Sequence, residues 1–358
     1  MSARPYPHDL PDAWPGRLLR WYDAHRRDLP WRRTQDPYAI FVSEMMLQQT
    51  QVQTVIPFYL RWMKEMPDWK SLARAPEDRV LKLWEGLGYY RRARNLKAAA
   101  QRVLSDYQGR LPDKRDEILK LPGVGPYSAG ALLSIAHGKP EALVDGNVIR
   151  VYARLTALGG DLKTGPGNRK IWALAEKWVP RIRPGDFNQA LMELGATVCI
   201  PDKPQCPLCP LRDICRASSL GKQGDFPNPG PKTAQRSVAV AAAWIERGSK
   251  ILLRRRPENA RWLKGLWEFP SGEGRTHPEA RRKLGKELGV VLGKKPEAKV
   301  QHQITVHKIE VRLYRAVLPK GWKFPAGSKW VGPKAWGRYA HPSAHLKLRE
   351  LMFKSRLS

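Results

Sequence analysis

Apolar residues recur three and four positions apart through residues 1–220. Proline and glycine punctuation separates the patches at MPDW (66–69), APED (75–78), GLGYY (86–90), GRLPDK (109–114) and LPGVGP (121–126). This spacing predicts a mostly helical domain. No extended alternation and no short tandem repeat occurs within it. The stretch GKQGDFPNPGPKTAQR (221–236) is crowded with Gly, Pro and polar residues and reads as a linker. The texture then changes. VAVAAAWI (238–245), KILLRR (250–255) and IEVRLYRAVL (309–318) read as strands, the last alternating Ile309, Val311 and Leu313 with charged residues. PEARRKLGKELGV (278–290) and HLKLRELMF (345–353) read as helices. A chain of 358 residues has length for two cores. The expectation is an all-α domain over 1–220 followed by an α+β domain over 237–358.

Within the helical half, DPYAIFVSEMMLQQTQV (36–52) holds a single glutamate among apolar neighbours. Asp36 can cap a helix and Pro37 suits its first turn. Phe41, Met45 and Val52 fall on one helical stripe, which Val42 and Met46 widen. Glu44 is thereby expected in a poorly solvated setting that raises its pKa, the state a general acid needs. In VDGNVIRVYARL (144–155) the stripe Val148, Val151, Tyr152, Leu155 places Asp145 at or just before a helix start. Capping and the helix dipole are expected to keep it ionised. Two carboxyls with opposed protonation states can divide acid and anion roles between them.

DEILKLPGVGPYSAGA (116–131) reads as a short helix, a glycine turn and a second helix beginning at Pro126. Such a hairpin presents the backbone of Leu121, Gly123, Val124 and Gly125 to an anion, with amides opening at the second helix. Charge says which anion. Lys plus Arg number 64 against 33 Asp plus Glu, a net charge of +31, so a polyanion is the expected partner and nucleic acid comes first. Phosphate contacts of this kind fix position, not sequence. The four cysteines all fall in one run, Cys199, Cys206, Cys209 and Cys215, which argues against a disulfide framework and for one metal-type site in a reducing compartment. Four thiolates can hold a [4Fe–4S] cluster or a structural zinc, although the 6-2-5 spacing lacks the paired C-x2-C knuckles of a zinc ribbon. The N-terminus has no apolar signal region, and no run approaches the roughly 20 apolar residues of a membrane helix. A soluble, cytoplasmic protein is expected.

Together, the GVG hairpin, Asp145 some twenty residues later and the cysteine run resemble the endonuclease III superfamily of helix-hairpin-helix DNA glycosylases. Within it, SEMMLQQTQV (43–52), PWR (30–32), GLGYY (86–90) and FNQALMELGA (187–196) resemble the family that releases adenine from DNA. The resemblance implies a [4Fe–4S] cluster on the four cysteines. It implies a monomer acting on double-stranded DNA with adenine mispaired with 8-oxoguanine or guanine. Glu44 would protonate the adenine at N7 and later help activate water. Asp145 would stabilise an oxocarbenium-like sugar, with Asn147 and Tyr127 supporting the sugar and the carboxylates. Trp31, Arg32 and Gln189 would meet the flipped base, with Leu47 beside the pocket, and Gln49 and Tyr89 would be wedges near the lesion. The chemistry is consistent: adenine leaves poorly unless protonated, the sugar left behind is cationic, and the base must leave the stack.

Lyase members of the superfamily carry a lysine just after the hairpin, where this chain has Tyr127, so no amine is present for a Schiff base and a monofunctional enzyme is expected. In the second domain, WEFPSGEGRTHPEARRKLGKELGV (267–290) has the shape of a Nudix box, but Lys283 and Lys286 stand where metal-binding glutamates are expected and Glu287 is left. Hydrolysis of nucleoside diphosphates is therefore not expected, and the resemblance implies that the domain recognises 8-oxoguanine instead. The family's lesion loop corresponds to 302–307, where Ile304 replaces an aromatic, Thr305 keeps a hydroxyl and Val306 stands in a histidine's place. Thr305, and His307 if the strand bulges, would be the lesion contacts, and the change bears on lesion preference. Two alternatives stay open: a mismatch glycosylase for thymine or uracil, and a basic DNA-binding protein without catalysis.

Overall fold

A computed structural model of the chain describes residues 10–228 and 234–354. The chain divides into two compact units, one joining Met1–Arg74 to Asn95–Pro231 and the other joining Ala75–Arg94 to Lys232–Ser358. The segment Ala75–Arg94, inside the expected helical domain 1–220, thus groups with the second unit. Residues 229–233 of the expected linker lie outside the described residues. Its first part packs on the helical unit, where the Arg154 guanidinium donates to the carbonyls of Gln223 (2.9 Å) and Phe226 (3.0 Å).

The first unit is helical. Trp14, Phe187 and Trp178 meet edge-on or tilted, with ring centroids 5.3–5.6 Å apart, and join the helices Trp14–His25, Gly165–Trp178 and Pro184–Thr197. The helix Gly146–Thr156 is buried from Val148 onward except at Arg150, so it forms the unit's axis. Asp36 caps the helix Pro37–Leu47 through the amides of Tyr38 (3.1 Å) and Ala39 (3.3 Å), with Pro37 at its first position. This helix is buried on every side from Tyr38 to Met46. The stripe expected to run on to Val52 is broken. Gln49 takes a left-handed backbone (φ 58°), and Val52 begins a new helix, Val52–Glu65.

In the second unit the strands are β1 (Arg236–Trp244), β2 (Glu246–Arg247), β3 (Lys250–Arg255), β4 (Trp267–Glu268), β5 (Ser271–Gly274), β6 (Val291–Leu292), β7 (Ala298–Ile304), β8 (His307–Val317) and β9 (Ser328–Val331). They form two sheets among the described residues. One has the order β5-β1-β8-β6, with β7 also on β8; the other has the order β2-β3-β4, with β9 on β3. The β1–β8 pair is parallel. Alternation then sorts the side chains. Val240, Ala242 and Trp244 face a core that includes Ala344, Leu348 and Met352 of the helix Ser343–Lys354. Ala241 and Ala243 face Ala280, Leu284 and Leu288 of the helix His277–Leu288. Both faces of β1 are covered from Ala239 onward, which is why the sequence is apolar from Val238 to Trp244. The expected α-helical and α+β classes and all three expected strands are present. In the Nudix-box helix, Lys283 pairs with Glu279 (2.7 Å) and Glu287 with Arg254.

Helices Pro184–Thr197 and Gly146–Thr156 cross where Gly195 meets Asn147. A Cβ at 195 would lie 2.6 Å from Asn147 Cβ. Gly195→Ala is therefore expected to push the Asp145-bearing helix outward and to cost ~1–3 kcal/mol, typical of overpacking. Urea unfolding of the variant beside the parent measures it; an unchanged midpoint would contradict the close crossing.

Candidate active site

One cavity of about 180 Å³ opens in the helical unit. An engineered apolar cavity of about 150 Å³ takes benzene, so this one is on the scale of a flat base. Glu44, Leu47, Trp31, Arg32, Tyr127, Asp145, Asn147 and Gln189 all line it. Five helical segments deliver them, Asp145 and Asn147 coming from the start of Gly146–Thr156. The helix Pro37–Leu47 brings Glu44 and Leu47, the turn Pro30–Arg32 brings Trp31 and Arg32, and Pro126–Ala131 brings Tyr127. Pro184–Thr197 presents Gln189, Met192, Glu193 and Ala196 at helical spacing.

Glu44 is 5 % exposed. Burial pushes its carboxyl up from 4.5 to about 7, and the charge of Asp145 adds to the rise; the Tyr127 hydroxyl and Arg32 oppose it. Tyr127 donates to Glu44 Oε2 (2.9 Å) and lies 3.4 Å from Met192 Sδ. The same burial, with both carboxyls nearby, keeps the Tyr127 phenol far above its ordinary range and therefore neutral.

Asp145 is the N-cap of Gly146–Thr156, accepting from the Val148 amide (2.7 Å) and from Asn147 Nδ2 (3.0 Å). The expected capping bonds are present, but they do not act alone. Burial is the larger effect and raises its pKa, while the bonds from Val148 and Asn147 pull it back. Glu44 is thus pushed up to about 7, and Asp145 is raised less freely because its acceptor bonds oppose the effect of burial. Asn147 is itself fixed, its Oδ1 accepting from Arg150 Nη2 (2.8 Å).

Sequence reasoning missed Arg27 and Glu193. Glu193 is 1 % exposed and accepts from Arg27 Nε (2.7 Å), Arg27 Nη2 (2.8 Å) and Arg32 Nη2 (2.8 Å). Burial would raise its pKa, but the two guanidiniums outweigh that and bring it to about 2. Glu193 thus fixes Arg32 at the pocket wall and takes up much of its charge. The available signal was its place four residues after Gln189, on the same helix face.

The remaining expected residues lie elsewhere. Gln49 is exposed in the left-handed break and does not line the cavity. Tyr89 belongs to the second unit, 45 % exposed, at φ 46°. In the hairpin, Gly123 has φ 82°, and a Cβ there would lie 2.7 Å from Asn95 Cβ and 2.9 Å from Met45 Cε, so only glycine fits. The Leu121 side chain is buried, leaving only its backbone at the turn, where its carbonyl accepts from the Val124 amide (3.1 Å). Gly125 caps the helix that starts at Pro126. A six-residue helix there continues into the π-turn Leu132–Ala136, which sets Ile135 against the cavity.

In the second unit Thr305 is exposed at the tip of the β7–β8 hairpin with φ 50°. The pairing runs unbroken from Ala298↔Leu313 to Ile304↔His307, so the strand has no bulge there. His307 consequently shares the core-facing parity of Ile309, Val311 and Leu313. It is buried against Trp262, with ring centroids 5.0 Å apart, and its Nε2 is 3.1 Å from Arg261 Nη2. The bulge on which His307 as a lesion contact depended is absent, and His307 is an interior residue.

The four cysteines are partly buried and unpaired with one another. Cys199, Cys209 and Cys215 pack on the helical core. Burial pushes the Cys209 thiol up to about 12, and the other three thiols contribute to that rise, so all four lie within electrostatic reach. Arg154 Nη1 is 3.4 Å from Cys199 Sγ. Among the described residues no group of three or more His, Cys, Asp or Glu is placed to hold a metal ion. Four thiols are the donor chemistry that an iron–sulfur cluster or a structural zinc takes. Among the described residues no helix is long and apolar enough to cross a membrane.

A family model for HhH-GPD superfamily base excision DNA repair proteins matches residues 42–181, and a NUDIX domain model matches 240–351. The human adenine DNA glycosylase is 39% identical to this chain over 345 residues, which cover 81% of this chain and 63% of the human protein. The mouse adenine DNA glycosylase is 34% identical, with 95% of this chain and 77% of that protein covered. Among solved structures, a thermostable thymine-DNA glycosylase matches with a TM-score of 0.54 at 34% identity, covering 58% of this chain and 96% of that chain.

A raised carboxyl has a stability signature. Unfolded Glu44 ionises near 4.5 and folded Glu44 near 7, so its contribution is fully present below about 4.5 and is lost as pH rises through about 7. The difference corresponds to ~3 kcal/mol. Relative to the parent, Glu44→Gln is expected to gain about that much in unfolding free energy between about pH 4 and pH 8. A difference independent of pH would contradict the assignment.

Proposed function

The chain belongs to the adenine DNA glycosylase family, and we propose that it releases adenine from duplex DNA in which that base is mispaired with 8-oxoguanine or guanine. The observation that carries the reading is the Glu44 carboxyl, held near neutrality in the wall of a base-sized cavity with Asp145 beside it. An extruded adenine enters between Trp31, Arg32, Leu47 and Gln189. Protonated Glu44 gives its proton to N7. The C1′–N9 bond breaks with its electron pair going to the base, and positive charge develops on the sugar. Asp145 is the anion that faces this charge, oriented by Asn147 and the Val148 amide. Water then bonds to C1′, and its proton passes to the Glu44 carboxylate. Tyr127 holds Glu44 in place and, being neutral and without an amine, forms no Schiff base. Strand cleavage is accordingly absent or weak.

The hairpin around Gly123 and Gly125 receives a phosphate of the DNA backbone, and a net charge of +31 draws the duplex in. Cys199, Cys206, Cys209 and Cys215 would hold a [4Fe–4S] cluster, which ties down a loop bearing Lys203 and Arg212. Gln49 and Tyr89 act as wedges, and Thr305 remains as the hydroxyl contact to the lesion strand. With His307 turned inward, preference for 8-oxoguanine over guanine is weaker than a full lesion loop would give. A thymine-releasing reading has the solved thymine-DNA glycosylase in its favour. However, that chain is matched by only 58% of this one, whereas the mouse adenine enzyme aligns with 95%.

Single-turnover release from duplexes with adenine opposite 8-oxoguanine, adenine opposite guanine and thymine opposite guanine tests the proposal. Adenine release is expected, reduced at least ~100-fold by Glu44→Gln, with no borohydride-trapped adduct. Thymine release with no adenine release would overturn it. Chelation of the cluster is expected to weaken DNA binding more than it slows the chemistry of bound duplex, as read by filter binding and by single-turnover rates.

A further inference from the structure

Resting on that reading, we propose that the second unit controls excision by gripping the loop that carries Tyr89, with Glu85 and Tyr90 as the positioning residues. Tyr89 is an exposed aromatic at φ 46° in a loop whose Gly86 and Gly88 are also left-handed, at φ 106° and 70°. A non-glycine residue in that region costs energy and persists only where its surroundings enforce it. The enforcement is visible on both sides of the loop. Trp84 Nε1 donates to the Gly88 carbonyl (3.0 Å), and Arg92 donates to the carbonyls of Leu87 (3.2 Å) and Gly88 (3.3 Å). The Arg92 guanidinium also lies 5.3 Å from the Trp84 ring and 5.4 Å from that of Tyr89.

The same loop is also tied to the backbone of one distant residue, His341, which lies 256 positions after Glu85 and 251 after Tyr90. The His341 amide donates to Glu85 Oε1 (2.7 Å). The Tyr90 hydroxyl accepts from the Gly86 amide (3.4 Å) and donates to the His341 carbonyl (3.3 Å). His341 cannot yield: it is fully buried, its ring stacks on Trp336 at 4.4 Å, and its Nδ1 is 2.6 Å from the Trp267 carbonyl. Two further ties hold the ends of the segment. Arg94 donates to the Lys264 carbonyl, and Arg255 Nη2 lies 3.6 Å from Glu77 and 3.7 Å from Asp78. This is why Ala75–Arg94 groups with the sheet domain. The backbone of the Tyr89 loop therefore depends on contacts made by the sheet domain.

The test uses the full-length protein and four variants: Glu85→Ala, Glu85→Gln, Tyr89→Ser and the Glu85→Ala/Tyr89→Ser double. Amide hydrogen exchange of 86–90 is read without DNA, and single-turnover adenine release is read opposite 8-oxoguanine. Glu85→Ala is expected to speed exchange of 86–90 and to slow release about tenfold or more, the loss of one charge-assisted hydrogen bond. Glu85→Gln keeps an acceptor for the His341 amide and should restore both, although it gives up the ion pair with Lys82. In the double variant the two losses should not add, because both act through Tyr89. Unchanged exchange in Glu85→Ala, or full additivity in the double variant, would overturn the grip. The exchange measurement needs no activity, so a failure of the adenine reaction is read separately from a failure of the grip.

Discussion

The helical unit is arranged around one unfavourable placement, a carboxyl taken out of water. Glu44 sits on a helix buried on all sides, and a carboxylate there is costly. A guanidinium close by would ordinarily relieve the cost by ionising the acid. Arg32 is close by, but Glu193 accepts from it and from Arg27, so the cation is satisfied elsewhere and its pull on Glu44 is the smallest of the influences upon it. Asp145 adds like charge rather than relief. The neighbouring groups thus hold a proton on Glu44 near neutral pH while leaving Asp145, with three hydrogen bonds to its ionised form from Val148 and Asn147, as the anion. The arrangement exchanges stability for a poised acid.

Position follows from the same packing. The helix that Asp145 caps runs through the middle of the unit and crosses the Gln189 helix at Gly195, where a side chain would not fit. Arg150 and Arg154 then fasten this helix to the cysteine run, through the carbonyls of Cys199 and Ile200, both at 2.7 Å. The cavity, the hairpin and the thiols are thus three faces of one rigid scaffold. The second unit builds its own rigidity from β1, covered on both sides, and extends it to the Tyr89 loop.

Much of this was legible in the sequence because it is local. Asp36-Pro37 and Asp145-Gly146 announce helix starts, GVG announces a turn that only glycine can make, and the alternation of Ile309, Val311 and Leu313 announces a strand. That Glu44, Asp145 and Gln189 share one site was legible only through family resemblance, since they lie on three separate helices. What was hidden depends on tertiary contacts. The break at Gln49 has no proline or glycine to mark it. Burial of Asp145 overrides its capping bonds, and burial is a property of the assembled unit. The inward turn of His307 follows from a register that the hairpin fixes, and a one-residue offset decides the face. Glu193 shows no local sign of its two arginines, which come from 27 and 32.

The central claim is that the two carboxyls of the cavity are split by their surroundings, with the proton on Glu44. Carbon-13 NMR titration of the side-chain carboxyls, with Glu44→Gln and Asp145→Asn to assign the signals, tests it most directly. The account predicts that Glu44 titrates near 7 and that Asp145 titrates below it but above its ordinary 3.8. A Glu44 carboxyl titrating near 4.5, or an Asp145 that holds its proton to higher pH than Glu44, would contradict it.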